Sequence, residues 1–274
     1  MAKAAPAKMS GAGGMNIQLE DEVKRNTNIL AVHVPPEMRV KVRTGIDFVD
    51  DLAGAGFGFN AGTGVLISGA SGCGKTTISL QIADALTAAG YLVLYNTNEE
   101  GAQQVKMTVE RLKLKHGFII GRDRLMPKAL EHMKYLMGLP SNKGKKPVFI
   151  GDSIQALDDG FYPNGGTNGN TPVRVAEQLL GWVKATYGVG ILIGQVTKDG
   201  TFAGKNVIKH ALDVHIHAYI DKKKKSETYG ERIIECDKNR YGPSDREWVI
   251  GMSAAGVHSK YCLTDGVPDP EDGE

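Results

Sequence analysis

The chain has 274 residues, of which 41% are hydrophobic and 23% charged, as in a globular protein that buries a large core. The formal net charge is only +2, so bulk charge does not indicate a nucleic-acid binder, and any basic site must come from local clustering. The three cysteines, Cys73, Cys236 and Cys262, form no C-x-x-C pair, which argues against a zinc ribbon or a disulfide scaffold and fits a reducing, cytoplasmic setting. No apolar run reaches the roughly 20 residues of a membrane span, and residues 1–14 lack the apolar segment of a signal peptide.

The composition changes along the chain and predicts three regions. Residues 1–39 are polar, contain Pro35-Pro36, and are interpreted as a flexible N-terminal arm or lead-in. Residues 40–260 carry the periodic apolar pattern of an ordered core. Residues 261–274 form an acidic, proline-containing tail that we expect to be flexible.

Strand and helix patterns alternate through the core. In chain order they are a helix at Asp47–Leu52, a strand at Val65–Ser68, a helix from Thr77, a strand at Tyr91–Tyr95, helices at Gly101–Lys115 and Leu130–Leu136, a strand at Val148–Ile150, a helix at Val173–Tyr187, a strand at Gly190–Gly194, two alternating strands at Asp213–Asp221 and Glu231–Lys238 joined by the hairpin Lys222–Glu227, and a last strand at Glu247–Met252. This alternation predicts an α/β fold with a mostly parallel sheet, flanking helices, right-handed crossovers and antiparallel C-terminal strands. Ligand groups are then expected at the carboxyl ends of the parallel strands.

A phosphate-binding loop follows the first buried strand. Residues 69–76 read G-x-x-x-x-G-K-T between a strand and a helix, which is the context that gives this motif its meaning. Backbone N–H groups of such a loop bind phosphate oxygens, Lys75 reaches the β- and γ-phosphates, and the Thr76 hydroxyl binds Mg²⁺. The predicted ATP contacts are Gly69, Ala70, Ser71, Gly72, Cys73, Gly74, Lys75, Thr76 and Thr77. Cys73 is interpreted as a small filler, with the hypothesis that alkylation blocks nucleotide binding if its thiolate is accessible.

Three further polar groups stand at strand ends. Asp152 follows Val148–Ile150 and is a candidate for holding Mg²⁺ through water, with a helix cap or loop aspartate as the alternative. Glu99 or Glu100 is a candidate base for the attacking water, and the alternative is a solvated acidic pair opening a helix. Gln195 is a candidate contact to the γ-phosphate or the water, against ordinary capping.

Two signals are assigned no chemistry. His215-x-His217 puts two imidazoles on one strand face, and with no third ligand in view a solvated face is favoured over a metal pair. The lysine run 222–225 is interpreted as a solvated hairpin tip.

Four segments together resemble the bacterial RadA (Sms) recombination ATPases of the RecA-like superfamily. Tyr95-Asn96-Thr97-Asn98-Glu99-Glu100 with Gln103 is similar to Y-V-S-G-E-E-S-x-x-Q, Gly151-Asp152-Ser153-Ile154-Gln155 to I-D-S-I-Q, Gly194–Gly200 with Ala203-Gly204 and His210 to G-H-V-T-K-E-G-x-x-A-G, and Lys238-Asn239-Arg240-Tyr241-Gly242 to K-N-R-F-G. The resemblance covers about residues 40–257. Such proteins usually carry a four-cysteine zinc module and a Lon-like domain, which this sequence does not show. Gln195 stands where RadA often has His, and Gly151 replaces an apolar residue.

The resemblance implies roles for specific residues. It favours Glu99 as the base, Asp152 for the metal and Gln195 as the γ-phosphate sensor, in a RecA-like fold. It also implies that Lys238 and Arg240 lie at a subunit interface, where a cation reaches a neighbour's γ-phosphate, with a hairpin-exposed charge pair as the alternative.

The resemblance further implies that two loops, residues 158–172 and 197–210, bind DNA near a ring or filament axis. Their composition suits that task, since lysines contact phosphate and aromatic rings stack on bases. The predicted DNA contacts are Tyr162, Lys198, Phe202, Lys205 and Lys209. The alternative for both segments is a solvated surface loop.

These observations predict an ATP- and Mg²⁺-dependent DNA motor. It would assemble as a homo-oligomeric ring, hexameric by expectation, or a filament around single-stranded DNA, with a loader or recombinase as a further partner. Its role would be homologous recombination, branch migration or unwinding. Two rivals stay open: a KaiC-like regulatory ATPase that acts on proteins without DNA, and a remnant that binds ATP without hydrolysing it.

Overall fold

The computed structural model describes residues 28–195 and 207–265. The chain divides into two units, Met1–Pro35 and Pro36–Glu274. In the first unit, one turn of 3-10 helix at Ile29–Ala31 follows Asn28, whose side chain accepts a hydrogen bond from the Leu30 N–H.

The second unit contains the sheet and the helices. Its elements are β1 (Lys41–Val42), α1 (Asp47–Gly54), β2 (Phe59–Asn60), β3 (Thr63–Gly69), α2 (Lys75–Ala88), β4 (Leu92–Thr97), α3 (Ala102–Arg111), β5 (Ile119–Gly121), α4 (Met126–Gly138), β6 (Pro147–Asp152), α5 (Thr171–Thr186), β7 (Val189–Gln195), α6 (Val207–Ala211), β8 (Val214–Ile220), β9 (Arg232–Asn239), β10 (Glu247–Ser253) and β11 (Gly256–Cys262). Within the described ranges, none of the helices is long and apolar enough to cross a membrane.

The main sheet has nine strands in the order β11-β10-β9-β8-β3-β7-β6-β4-β5. Strands β5, β4, β6, β7, β3 and β8 are parallel, and β8 to β11 are joined by antiparallel pairing. The predicted α/β class, with a mostly parallel sheet and antiparallel C-terminal strands, is therefore confirmed. The central strand β3 pairs with β7 on one side and β8 on the other, so the phosphate-loop strand lies in the middle of the sheet.

Both faces of the sheet are covered, which explains the unbroken apolar runs. In β3, Val65 and Ile67 pack into one core cluster while Leu66 packs into the other. The first cluster takes apolar residues from α1, α2 and α3, and the second from α4, α5 and α6. A strand buried on both faces needs apolar side chains at every position, as parallel strands of α/β proteins do. The layers hold the carboxyl ends of β3, β4, β6 and β7 at one edge.

Close packing also explains a glycine inside a buried strand. A Cβ at Gly190 in β7 would lie 2.6 Å from Leu179 of α5, so only glycine lets that helix side chain reach the sheet. Gly151 in β6 is similar, because its Cβ would lie 2.9 Å from Leu192. The glycine that departs from the resembled motif before Asp152 therefore fits the close packing of this chain, where a larger residue would displace the Leu192 side chain.

The structure differs from the sequence-based elements in several places, including strands β1, β2 and β5, which the sequence pattern does not predict. Glu247–Ser253 is not the last strand, because β11 follows it and pairs with it as a hairpin. Strand β11 alternates polar residues at a sheet edge, which masks its strand pattern. Helix α3 ends at Arg111 rather than at Lys115, and Asp152 lies in the last position of β6 rather than beyond it.

Candidate nucleotide-binding site

The phosphate loop joins β3 to α2 as predicted. All seven residues of β3 are buried, and α2 begins at Lys75 directly after Gly74, which has a left-handed φ of 94°. A residue with a Cβ is strained at that φ, so glycine allows the sharp turn from loop into helix. The loop N–H groups and the first turn of α2 are thereby placed at the carboxyl edge of the sheet, where they provide an anion site.

Lys75 lies over this loop. Its Nζ donates a hydrogen bond of 2.8 Å to the Ala70 carbonyl oxygen. Burial lowers the pKa of Lys75, while the nearby Cys73, Asp152 and Glu99 act to raise it. A partly desolvated ammonium held near the loop is suited to exchange its carbonyl partner for phosphate oxygens.

Asp152 meets Thr76 at the end of β6. The Thr76 hydroxyl donates to Asp152 Oδ2 at 3.1 Å, and Asp152 is only 5% exposed. A second donor, the Tyr95 hydroxyl, contacts the same oxygen at 2.6 Å, and Tyr95 also contacts the Ser79 hydroxyl at 3.2 Å. Burial raises the pKa of Asp152, and the hydrogen bonds from Tyr95 and Thr76 oppose that effect.

The oxygens at this point suit Mg²⁺. A hydroxyl and a carboxylate are the hard donors that Mg²⁺ prefers, and one or two protein oxygens with phosphate and water are its usual ligand set. In the described ranges, no group of three or more His, Cys, Asp or Glu residues is arranged to hold a metal. The site therefore fits a metal shared with a nucleotide better than a dedicated protein cage.

Glu99 faces the same cleft from the end of β4. Its Oε1 accepts a short hydrogen bond from the Ser153 hydroxyl, which follows Asp152 in sequence. Glu99 is exposed and lines the cleft, whereas Glu100 is not among the residues that line it. The structure thus separates the two candidate glutamates by position, although the role of Glu99 as a base stays a prediction.

Gln195 ends β7 at the same edge and is exposed. The side chain of Gln155 pairs with its backbone, donating to the Gln195 carbonyl oxygen at 3.2 Å and accepting from its N–H at 3.4 Å. This pairing links the end of β7 to the turn after Asp152. A movement of Gln195 would therefore displace Gln155, which lies in the turn beside the predicted metal site.

These groups line one cleft of about 260 Å³. Its lining residues are Ser71, Gly72, Gly74, Lys75, Thr76, Thr77, Glu99, Asp152, Ile193, Gln195 and Met252. The phosphate loop and three predicted strand-end groups thus converge in one place. Cys73 lies beneath the loop, 2% exposed and packed in the core, so the condition attached to its alkylation is not met.

Sequence reasoning assigned no role to several contacting residues. Tyr95, Ser153 and Gln155 orient Asp152, Glu99 and Gln195, and Met252 lines the cleft from β10. The first three stand inside the segments that carried the RadA resemblance, which was the available signal. No sequence signal indicated Met252, because nothing in its local sequence shows that the β10–β11 hairpin packs beside the phosphate loop.

The predicted interface cations lie elsewhere. Lys238 pairs with His215 near the start of β8, whereas the phosphate loop begins beside Ala218 further along that strand. Lys238 Nζ donates to the carbonyl oxygens of Lys209, His210 and Leu212 at 2.5–3.0 Å. Arg240 pairs with the buried Asp213 at 3.2 Å and is half exposed. Neither cation is among the residues that line the cleft of its own chain, and action on a neighbour stays a prediction.

The predicted DNA contacts are only partly described. Lys198, Phe202 and Lys205 lie outside the described residues. Tyr162 is 39% exposed and packs edge-on against Phe161, with ring centroids 5.0 Å apart. Lys209 does not lie in a loop, as the sequence predicts, but in helix α6, where it makes an ion pair of 3.0 Å with Asp237.

The first residues of the segment 158–170 are fixed to the rest of the fold by an ion pair and by backbone hydrogen bonds. Arg174 of α5 pairs with the buried Asp159 and lies 4.6 Å over the Phe161 ring. Asp158 exchanges backbone hydrogen bonds with Arg124 and Met126. The segment therefore presents two exposed aromatic rings on an anchored base.

The interpretation of His215 and His217 as a solvated face is wrong. His215 is fully buried and His217 is half-buried, and both rings contact the hydroxyl of Ser68 at 2.7 and 2.8 Å. They were misjudged because the strand pattern does not reveal that the adjacent β3 carries a polar residue facing them.

The fold and the site define a protein of the RecA-like P-loop fold with a nucleotide-binding cleft at the carboxyl edge of its sheet. The family described as ATPase: KaiC matches residues 42–125. The chain has a TM-score of 0.67 with a solved ATPase domain, at 15% identity over 80% of this chain and 91% of that one. It has the same TM-score with a DnaB-like replicative helicase, at 15% identity over 79% of this chain and 61% of the helicase chain.

The resemblance to RadA is confirmed by individual relatives. The chain is 31% identical over 209 residues to the DNA repair protein RadA of Campylobacter jejuni, covering 74% of this chain and 43% of the relative. It is 29% identical over 228 residues to RadA of Mycolicibacterium smegmatis, with 81% and 45% coverage, and 28% identical over 258 residues to RadA of Bacillus subtilis, with 94% and 52% coverage. The chain spans about half the length of the curated relatives it matches.

Proposed function

We propose that the protein is an ATP-driven DNA motor that acts in DNA repair and recombination. The observation that carries this proposal is the convergence of Lys75, Thr76, Asp152, Glu99 and Gln195 in one cleft at the carboxyl edge of the sheet. The similarity to proteins named DNA repair protein RadA supplies the DNA side of the proposal.

In this mechanism the phosphate loop binds the triphosphate through its N–H groups, and Lys75 leaves Ala70 for the β- and γ-phosphates. Thr76 and Asp152 would hold Mg²⁺, which when bound neutralises charge on the β- and γ-phosphates. Glu99, oriented by Ser153, orients and deprotonates the attacking water. Gln195 contacts the γ-phosphate and changes position when that phosphate leaves.

DNA would be contacted by Tyr162, Lys198, Phe202, Lys205 and Lys209 around the axis of a homo-oligomeric ring or filament. Of the two predicted interface cations, Arg240 is half exposed whereas Lys238 is bound to three carbonyl oxygens. We therefore assign to Arg240 the contact with a neighbour's γ-phosphate, and to Lys238 the anchoring of α6.

The test is ATP turnover with and without single-stranded DNA, beside a Lys75→Ala control. Turnover that rises with DNA and vanishes in the control supports the motor.

The second candidate is a regulatory ATPase acting on proteins, which the match to the KaiC family over residues 42–125 favours. DNA-independent turnover with no retention on single-stranded DNA at low salt would establish that candidate instead. Charge reversal at Lys198 and Lys205 should abolish a DNA effect and leave a protein-directed switch intact.

A further inference from the structure

A chain of hydrogen bonds joins the phosphate-loop strand to helix α6. Ser68 Oγ lies 2.7 Å from His215 Nε2, and His215 Nδ1 lies 2.8 Å from Asp237 Oδ2. The same carboxylate oxygen accepts from Lys209 Nζ at 3.0 Å. The chain therefore runs through β3, β8, β9 and α6.

The chemistry of the partners fixes which atom donates and which accepts in each hydrogen bond of this chain. His215 Nδ1 faces a carboxylate, which only accepts, so that nitrogen carries the hydrogen and Nε2 is the acceptor. The single hydroxyl hydrogen of Ser68 then points to His215 Nε2. His217 Nδ1, which lies 2.8 Å from Ser68 Oγ, must donate to that oxygen.

The first three residues have the geometry of a serine hydrolase triad. Ser68 and His215 are both 0% exposed, so no substrate reaches the hydroxyl. Ser68 is also absent from the lining of the nucleotide cleft. The chain is therefore a buried connection rather than a second catalytic centre.

One end of this chain of hydrogen bonds lies beside the phosphate loop. Ser68 pairs with His217, and Gly69, the first residue of the loop motif, pairs with Ala218. A Cβ at Gly69 would collide with the Ala218 carbonyl oxygen, so β8 packs directly against the start of the loop. A change in the Ser68–His217 contact therefore falls one residue before the loop begins.

The other end carries a predicted DNA contact. Lys209 lies near the end of the predicted DNA-binding segment 197–210, and its ammonium cannot bind a DNA phosphate and Asp237 equally well at once. The pKa of His215 is lowered to about 4, with burial as the largest cause and the charge of Lys209 acting in the same direction, while the hydrogen bond to Asp237 acts to raise it. When Lys209 leaves Asp237, His215 Nδ1–H is the remaining described donor to that carboxylate, so the hydrogen bond between His215 and Asp237 strengthens. The neutral imidazole then becomes a better acceptor at Nε2, which strengthens its hydrogen bond from Ser68 and alters the Ser68–His217 contact.

We propose that Ser68, His215 and Asp237 form a positioning relay that couples DNA contact at Lys209 to the geometry of the phosphate loop. The relay rests on the proposed DNA-motor function and adds the route by which DNA alters turnover. Its hydrogen bonds form one continuous network from Lys209 to the residue before the phosphate loop, which is the physical connection that coupling between the two sites needs.

The test measures DNA stimulation of ATP turnover in wild type, Asp237→Asn and His215→Asn, with Lys260→Met as the matched control. Lys260 makes a comparable ion pair with Glu231 at 2.7 Å on the same group of strands, outside the relay. Coupling between sites typically corresponds to about 5–150-fold, so we expect the relay variants to lose at least about fivefold in stimulation. Basal turnover and single-stranded DNA affinity should stay near wild type, and the control should be stimulated normally.

A spectroscopic measurement separates a relay from a purely structural tie. Addition of single-stranded DNA should change the ¹⁵N shifts of the His215 ring in the wild type, and Lys209→Met should reproduce the shifted state without DNA. If a relay variant fails to fold by thermal melting, Ser68→Ala takes its place, because it removes only one hydroxyl.

The outcomes are distinct. Wild-type stimulation in folded relay variants, or a His215 ring that DNA does not perturb, overturns the relay and leaves the motor in place. A wild-type protein that DNA does not stimulate overturns the motor, and the relay with it.

Discussion

The hydroxyl of Tyr95 donates a hydrogen bond of 2.6 Å to Oδ2 of Asp152 across the neighbouring strands β4 and β6. Both side chains are buried, so the carboxylate depends on this donor and on Thr76 for its orientation. A group that orients a metal-binding carboxylate commonly affects metal affinity about 10–100-fold. The Tyr95–Asp152 contact therefore gives the first prediction.

Tyr95→Phe should raise the Mg²⁺ concentration needed for half-maximal turnover by about tenfold or more. It should also lower the free energy of unfolding by about 1–3 kcal/mol, because a buried carboxylate loses a donor. Metal titration of ATP turnover and urea unfolding without metal check the two effects. Tyr91→Phe, at a tyrosine just before β4, is the control, and an unchanged metal requirement in Tyr95→Phe would contradict the prediction.

The second prediction separates Glu99 from Glu100. Glu99→Gln should lower the turnover number by about 10²–10⁴-fold, because it removes the proposed general base while keeping the shape of the cleft. Binding of a fluorescent ATP analogue should remain close to wild type. Glu100→Gln, which changes the adjacent residue outside the cleft lining, should keep most of the turnover. Equal losses in the two variants would show that Glu99 has no special role.

The third prediction concerns stability away from the cleft. Asp84 of α2 accepts hydrogen bonds from the backbone N–H groups of Lys115, His116 and Gly117. Burial acts to raise the pKa of Asp84, but these donors outweigh it and hold the pKa below its ordinary value. The stabilisation by Asp84 is therefore present above its unfolded pKa and is lost as the pH falls through its folded pKa.

Asp84→Asn should lower the free energy of unfolding by about 1–3 kcal/mol at pH 7, and the difference from wild type should shrink below about pH 4. Urea unfolding at a series of pH values measures this. Glu110→Gln, in the exposed pair with Lys106, should change stability by no more than about 0.5 kcal/mol. A difference that does not vary with pH would assign the role of Asp84 to packing instead.

The fold and the nucleotide loop were predictable because their signals are local. Continuous apolar runs such as Val148–Ile150 identify parallel strands, and strand C-terminal ends place Asp152 and Gln195 at one edge. The contacts of Tyr95 with Asp152 and of Ser68 with His215 join residues 57 and 147 positions apart. A local sequence pattern does not identify partners so far apart in the chain. The environment of His215 and His217 could therefore be inferred only from strand alternation. The β11 strand was missed for a related reason, since an edge strand with polar residues lacks the apolar signature.

The last prediction uses the buried imidazole of His215. Burial lowers its pKa from 6.5 to about 4, with Lys209 and His217 acting in the same direction and Asp237 against them. The unfolded chain therefore binds more protons than the folded one between these values, and stability falls as the pH drops from about 6.5 to about 4. The shift corresponds to roughly 3 kcal/mol. His215→Asn should be less stable than wild type at pH 7 because it loses ring hydrogen bonds, and this deficit should narrow steadily toward pH 4. The measurement is urea unfolding of both proteins across that range, with substitution of the exposed His258 by Asn as the control for loss of an imidazole at the surface. A His215→Asn deficit that is the same at pH 7 and pH 4 would mean that the imidazole is not held neutral by the folded protein.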